Sequence, residues 1–169
     1  MHYEIERKFL IDRPDHDCLV RQPGCNIWEI EQIYLTADPG ETRRIRKVTE
    51  KDTMHYYRTY KRRITNATAA ENESEITKEA YEAYLSERNP ELNTILKRRY
   101  RIPFEGHLLE IDVYPFWKKQ AVLEIELASE TEPYRIPDWL NVKREVTDDK
   151  RYKNIALARS IPEEESPAV

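Results

Sequence analysis

Polar and apolar residues alternate through most of this chain at the two-residue period of a β-strand. The pattern recurs in "YEIERKFLI", "IEQIYLT", "ETRRIRKVT", "MHYYRTYKRRI", "ENESEI", "ILKRRYRIPF", "LLEIDVYPF" and "AVLEIELAS". These eight segments are predicted strands, and "ADPGE", "FEGH" and "YPFWKK" between them carry turn chemistry. Helical spacing is scarcer. "TKEAYEAYLSER" has Thr77 as N-cap and Ala80, Tyr81, Tyr84 and Leu85 along one side. "PDWLN" predicts one turn, and "DDKRYKNIALARSI" a C-terminal helix capped by Asp148. A short helix is weakly indicated near residues 14–21. "ATAAENES" reads as a loop entering the next element, and "PEEESPAV" as a disordered tail. No linker splits the chain, so residues 1–160 are expected to form one domain and 161–169 a disordered end.

Successive strand side chains point to opposite faces, and here the two faces differ sharply. One carries Glu4, Glu6 and Lys8; Gln32 and Tyr34; Arg44 and Arg46; Thr59 and Lys61; Glu73 and Glu75; Lys97, Arg99 and Arg101; Glu110 and Asp112; Glu124 and Glu126. The other carries Ile5, Phe9, Ile33, Leu35, Ile45, Leu109, Ile111, Leu123 and Ile125. Two arrangements satisfy this pattern. A sheet can bury its apolar face and show charge to water. Alternatively it can close with charge inward, while helices cover the apolar outside. An ordinary solvated face mixes Lys, Glu, Thr, Ser, Gln and Asn. These faces consist largely of paired acids and paired bases, which favours closure.

Composition narrows the chemistry. The 169 residues are 39% hydrophobic and 36% charged, with 28 bases, 32 acids and a formal charge of -4. No Lys/Arg block forms a nucleic-acid arm, and Arg98 and Arg99 alternate to opposite faces, so a single RNA patch is not expected. No apolar run reaches the ~18 residues of a membrane span. Cys18 and Cys25 have no metal or redox spacing and are expected to be reduced in a cytoplasmic protein. Three isolated glycines exclude a phosphate loop, so side chains must hold any phosphate. The four histidines lack ligand spacing, and Trp28, Trp117 and Trp139 read as packing or loop residues.

An enclosed set of carboxylates repels itself unless a cation joins it. Oxygen-only ligands suit Mg²⁺ or Mn²⁺ rather than zinc, and clustered arginine suits a multiply charged anion. Together they suggest phosphate chemistry.

The opening "EIERK" resembles the ExExK signature of the CYTH superfamily, the triphosphate tunnel metalloenzymes. The similarity continues in family order through "QIYL", "RIR", "TYK", "ESEI", "LKRRY", "LEIDVY", "LEIEL" and "EVTDDKRYKN". The resemblance implies a mainly β (α+β) fold: an eight-stranded antiparallel closed barrel, or tunnel, with a few helices packed outside. It implies Glu4, Glu6, Asp112, Glu124 and Glu126 as metal ligands, and Lys8, Arg44, Arg46, Lys61, Lys97 and Arg99 as the phosphate clamp. Lys8, Glu124 and Glu126 would be catalytic, while Glu73 and Glu75 are lumen acids of open role. Tyr152 and Asn154 match the C-terminal motif, in packing or in substrate contact. The length and that motif are most similar to compact bacterial inorganic triphosphatases, with Mg²⁺ or Mn²⁺ as cofactor. A small-molecule triphosphate is then the expected partner, with no nucleic acid or membrane, for a monomer or homodimer. Adenylyl cyclase and thiamine triphosphatase activities share this scaffold, and a non-catalytic polyphosphate-binding module is the rival of another class.

Overall fold

The computed structural model describes residues 2–169, and in it the alternating segments join edge to edge. They form β1 (His2–Asp12), β2 (Asn26–Leu35), β3 (Glu41–Glu50), β4 (Thr53–Arg63), β5 (Thr68–Ile76), β6 (Ile95–Phe104), β7 (His107–Val113) and β8 (Gln120–Glu126). The order is β5-β4-β3-β2-β6-β7-β8-β1, antiparallel throughout, and β1 returns to pair with β5. The expected eight-stranded barrel is therefore closed. Eight strands leave an interior that side chains fill or that holds one small ligand. A ninth strand, β9 (Val142–Glu145), pairs with Phe9–Ile11 of β1. Strand β1 thus joins three partners: β5 through His2–Ile5, β8 through Glu6–Asp12, and β9 near its end.

Boundaries depart from the sequence pattern where alternation fails. β5 begins at Thr68, inside the expected loop, because Ala69 and Ala70 are buried against β1 where the ring closes. Small residues buried on both sides leave no alternating signal. β2 begins at Asn26, since Asn26–Glu29 pair with Arg98–Arg101 of β6.

Two short helices, α1 (His16–Val20) and α2 (Lys78–Tyr84), pack outside, and a third, α3 (Asn154–Arg159), lies at one end of the barrel. Thr77 caps α2 as expected, its hydroxyl oxygen accepting from the Ala80 amide at 3.1 Å. "PDWLN" is a single turn closed by Leu140 N–H to the Pro137 carbonyl. The continuous helix predicted over 148–161 is broken. Asp149, not Asp148, caps a 3-10 turn at Lys150–Tyr152, and Lys153 is extended before α3 starts. The Asp149 carboxylate accepts from both the backbone and the guanidinium of Arg151, which holds the tight turn.

Tail residues contact the body of the domain. Glu165 accepts from Arg144 at 2.8 and 2.9 Å and from the Tyr152 hydroxyl at 2.8 Å. The Trp117 indole N–H donates to the Pro162 carbonyl, and the Ala168 amide to Asp12. These partners lie far away in sequence and left no local signature.

The apolar strand faces point outward, as closure requires. Phe9, Ile11, Ile102, Leu109, Ile111, Leu123 and Ile125 pack beneath Leu19 of α1 and Leu140. Ile33, Leu35 and Ile45 pack beneath Tyr81 of α2. The interior itself is divided. Leu10, Tyr34, Ile95, Tyr114 and Val122 share the inward register of the charged residues. They cluster with Trp117, Tyr152 and Leu157, so one end of the barrel is closed by an apolar floor. No helix among the described residues is long and apolar enough to cross a membrane.

Candidate active site

Above that floor lies a chamber of about 240 Å³. β1 contributes Glu4 and Glu6, β3 Arg44 and Arg46, β4 Tyr57 and Lys61, β5 Glu71 and Glu73. β6 contributes Arg99 and Arg101, β7 Glu110, β8 Glu124 and Glu126, and Asn154 sits at the base. Apart from Asn154, each is placed by strand alternation, so most of the chamber follows directly from the period-two pattern.

The sequence-predicted residues fall into three levels. Glu4, Glu6, Arg44, Arg46, Lys61, Glu73, Arg99, Glu124 and Glu126 line the chamber. Lys8, Lys97 and Asp112 lie deeper, fully buried between the chamber and the apolar floor. Glu75 stands at the rim, exposed and bonded to the His55 ring at 2.8 Å, so it does not share the lumen of Glu73. Asp112, a metal ligand by the resemblance, is paired with two bases in that deeper layer. Arg99 donates to both its oxygens at 2.7 and 2.9 Å, and Lys97 adds a bond at 2.9 Å. Its lone pairs are committed to holding two bases.

Ion pairing organises the rest. Lys61 Nζ donates to Glu4 at 2.7 Å and lies 3.3 Å from Glu71. Arg46 meets Glu73 at 3.1 Å, and Glu73 also accepts from the Thr59 hydroxyl at 2.6 Å. Lys8 Nζ donates to the Tyr152 carbonyl and lies 3.3 Å from Glu124. Arg44 differs. It is buried, faces the chamber, and makes no ion pair among the described residues, while its Nε lacks any hydrogen-bond partner. An unpaired buried guanidinium is costly unless an anion reaches it.

Burial would raise the Glu4 carboxyl, but Lys61 and Arg44 hold it down, at about 2. Burial, with Glu124 and Glu4 nearby, pushes Glu6 up to about 8. Burial, Glu4 and Glu110 likewise raise Glu126. Glu124 is driven the other way by Lys8 and Arg99, which outweigh its burial. Burial and the neighbouring Arg99 bring Lys97 down to about 8 despite Asp112. Arg46 is depressed by burial and by Arg44.

Seven carboxylates line the chamber against five Lys/Arg side chains. Glu6 and Glu126 stand directly opposite across β1 and β8, an arrangement that repels unless compensated. Glu124 Oε1 and Glu71 Oε2 are buried without a hydrogen bond, each held only by an ion pair at 3.3 Å, to Lys8 and Lys61. These features fit a hard cation with oxygen ligands. Among the described residues, no three acids converge closely enough to form a complete cation site by themselves.

Pattern reading placed Glu110 and Arg101 on the charged face without giving them a role, and passed over Glu71, which keeps the inward parity of Glu73. Trp28 and His2 also line the mouth, and Arg101 lies 3.9 Å over the Trp28 ring. Trp28 is therefore a chamber residue and not mere packing. Gln32 is buried and donates to the Tyr34 hydroxyl at 2.6 Å, away from the chamber.

No protein-family model matches the chain. It is 33% identical over 164 residues to the inorganic triphosphatase of Acetivibrio thermocellus, covering 95% of this chain and 96% of that protein. It is 34% identical over 174 residues to the inorganic triphosphatase of Nitrosomonas europaea, covering 94% and 99%. The crystal structure of the inorganic triphosphatase NE1496 matches with a TM-score of 0.57 and 31% identity, over 96% of this chain and 99% of that one. A closed eight-stranded barrel with acids and bases gathered inside defines the CYTH, or triphosphate tunnel, class. Within that class the chain belongs to the inorganic triphosphatase family.

Proposed function

We propose that this protein hydrolyses inorganic tripolyphosphate to pyrophosphate and phosphate in the charged chamber, with Mg²⁺ or Mn²⁺. The observation that carries the reading is Arg44, a buried and unpaired guanidinium beside Arg46 and Arg99 in a chamber sized for a small ligand.

Phosphoryl transfer depends on positioning and charge neutralisation more than on covalent chemistry. Arg44, Arg46 and Arg99 supply planar forks for phosphate oxygens, and Lys61 exchanges Glu4 for substrate. Lys8, fixed by the Tyr152 carbonyl, keeps Glu124 ionised. Lys97 and Asp112 act one level down, as positioning residues that aim Arg99. Glu126 has the better pKa for accepting a proton from attacking water, because burial and its acidic neighbours raise it.

A chamber with more acids than bases repels a polyanion unless cations enter with it. Glu4, Glu6, Glu124 and Glu126 would hold the divalent ion. Bound there, it would neutralise phosphate oxygens and lower the pKa of a ligated water. Mg²⁺ is often held by only one or two carboxylates, with substrate phosphates completing its shell. That habit accounts for the lack of a finished all-protein cation site.

Phosphate release from tripolyphosphate, ATP and thiamine triphosphate, measured side by side with Mg²⁺, Mn²⁺ or EDTA, tests the reading. Tripolyphosphate should be cleaved fastest, and only with metal. Faster turnover of ATP or thiamine triphosphate would assign an organic substrate, and tight tripolyphosphate binding without release would leave a binding module.

A further inference from the structure

A second cavity, of about 580 Å³, lies outside the barrel between the end of β4 and the segment from Lys150 into α3. Its size is that of an ordinary small-molecule site. Arg63, Lys150 and Lys153 surround it, while Ile155, Ala156 and Pro162 give it apolar walls. Among the described residues none of these three bases makes an ion pair, whereas the buried bases Lys8, Arg46 and Lys97 each find an acid. Arg151 and Arg159 extend the basic rim but are engaged by Asp149 and Glu91. Three unpaired cations beside an apolar pocket, on a chain of net charge -4, form a local excess that nothing within the chain balances.

The cavity is separate from the chamber but shares a wall with it. Asn154 lines the chamber, whereas Lys153 and Ile155, its neighbours on either side, line the outer cavity. Lys153 Nζ donates to the Asn66 carbonyl at 2.7 Å. Its ammonium is pushed down to about 8 by burial and by Lys8 and Arg63, which is the response of a cation that lacks a partner.

We propose that this outer cavity binds an organic anion. Its phosphate- or carboxylate-type head would meet Arg63, Lys150 and Lys153, and its apolar body would lie against Ile155, Ala156 and Pro162. Apolar walls select against a bare inorganic ion, which gains nothing from them. This site is distinct from the chamber and does not depend on the reaction performed there.

The test uses the intact protein and 8-anilinonaphthalene-1-sulfonate, an aromatic anion that fluoresces on entering an apolar site. Titration should give one saturable equivalent. Octyl phosphate should displace it at concentrations at which pyrophosphate does not. Arg63→Glu with Lys150→Glu, both at exposed positions, should weaken the probe at least tenfold, and Lys150→Glu alone should weaken it severalfold. Arg44→Ala, in the chamber, should leave the affinity unchanged. Thermal melting of each variant verifies that it is folded. Absence of saturable binding, or full affinity in the folded double variant, overturns the proposal. Loss of binding in Arg44→Ala would place the probe in the chamber, and equal displacement by pyrophosphate would remove the organic ligand class.

Discussion

The two halves of the barrel interior are built from the same strands and the same inward register, yet they do opposite things. Along β1 the inward positions run Glu4, Glu6, Lys8, Leu10, and along β6 they run Arg101, Arg99, Lys97, Ile95. One half is a chamber in which charge is only partly balanced. The other is a floor packed like a core. Between them, Lys8, Lys97 and Asp112 form a buried ionic layer whose bonds are largely satisfied. Stability and reactivity are thus stacked along one axis. The floor excludes water from below, which strengthens each charge interaction above it.

The sharpest way to break this division is at the boundary. Asp112→Ala leaves Lys97 and Arg99 buried without their shared acid. It should cost about 3–5 kcal/mol of folding stability in urea denaturation; a loss below ~1 kcal/mol would mean the layer is not structural. Arg44→Ala should behave inversely. It should lower kcat/KM by about 10²–10³-fold, by analogy with the loss of a preorganised donor, while melting temperature holds or rises because an unpaired charge is gone. Leu10→Ala in the floor should cost about 2–3 kcal/mol of stability with little change in KM. A large KM effect there would show that the halves are not separable.

A smaller effect concerns pH. Glu6 keeps its proton up to about 8 in the folded chamber, whereas an unfolded glutamate ionises near 4.5. Between those values the folded state binds more protons, so metal-free stability should fall as pH rises from about 5 to 8. Thermal melts of Glu6→Gln should show a shallower decline; an identical slope would remove Glu6 as its source. The smallest effect is expected from Glu165→Ala. It removes partly exposed bonds to Arg144 and Tyr152 and should cost about 1 kcal/mol with activity retained.

Most of the barrel was legible because alternation is a local signal. All eight barrel strands were found from their pattern, and so were the two opposed faces; β9 was not, because its four residues pair only with the distant β1. What escaped depended on distant partners. Ala69 and Ala70 become strand only because β1 covers them, and the tail meets Arg144, Tyr152, Trp117 and Asp12, all distant in sequence. In the chamber, the identity of the lining residues followed from parity, and Glu71, Glu110 and Arg101 were available by the same rule. The pairing of Asp112 with Lys97 and Arg99 was not. A carboxylate held by two bases and one open to a cation look the same in sequence. Nor did the alternating charged face disclose that its pattern turns apolar at Leu10, Tyr34, Ile95, Tyr114 and Val122, although the residues were in plain view.

The three-way pairing of β1 has a consequence for how the molecule comes into being. Residues 2–12 find their neighbours at 68–71, 120–126 and 142–145. The edges of β1 stay bare until segments far along the sequence have come to it. Loops of that length close slowly and at an entropic cost. Ring closure is therefore a late event, and until it happens the acids and bases that will face one another have no common interior.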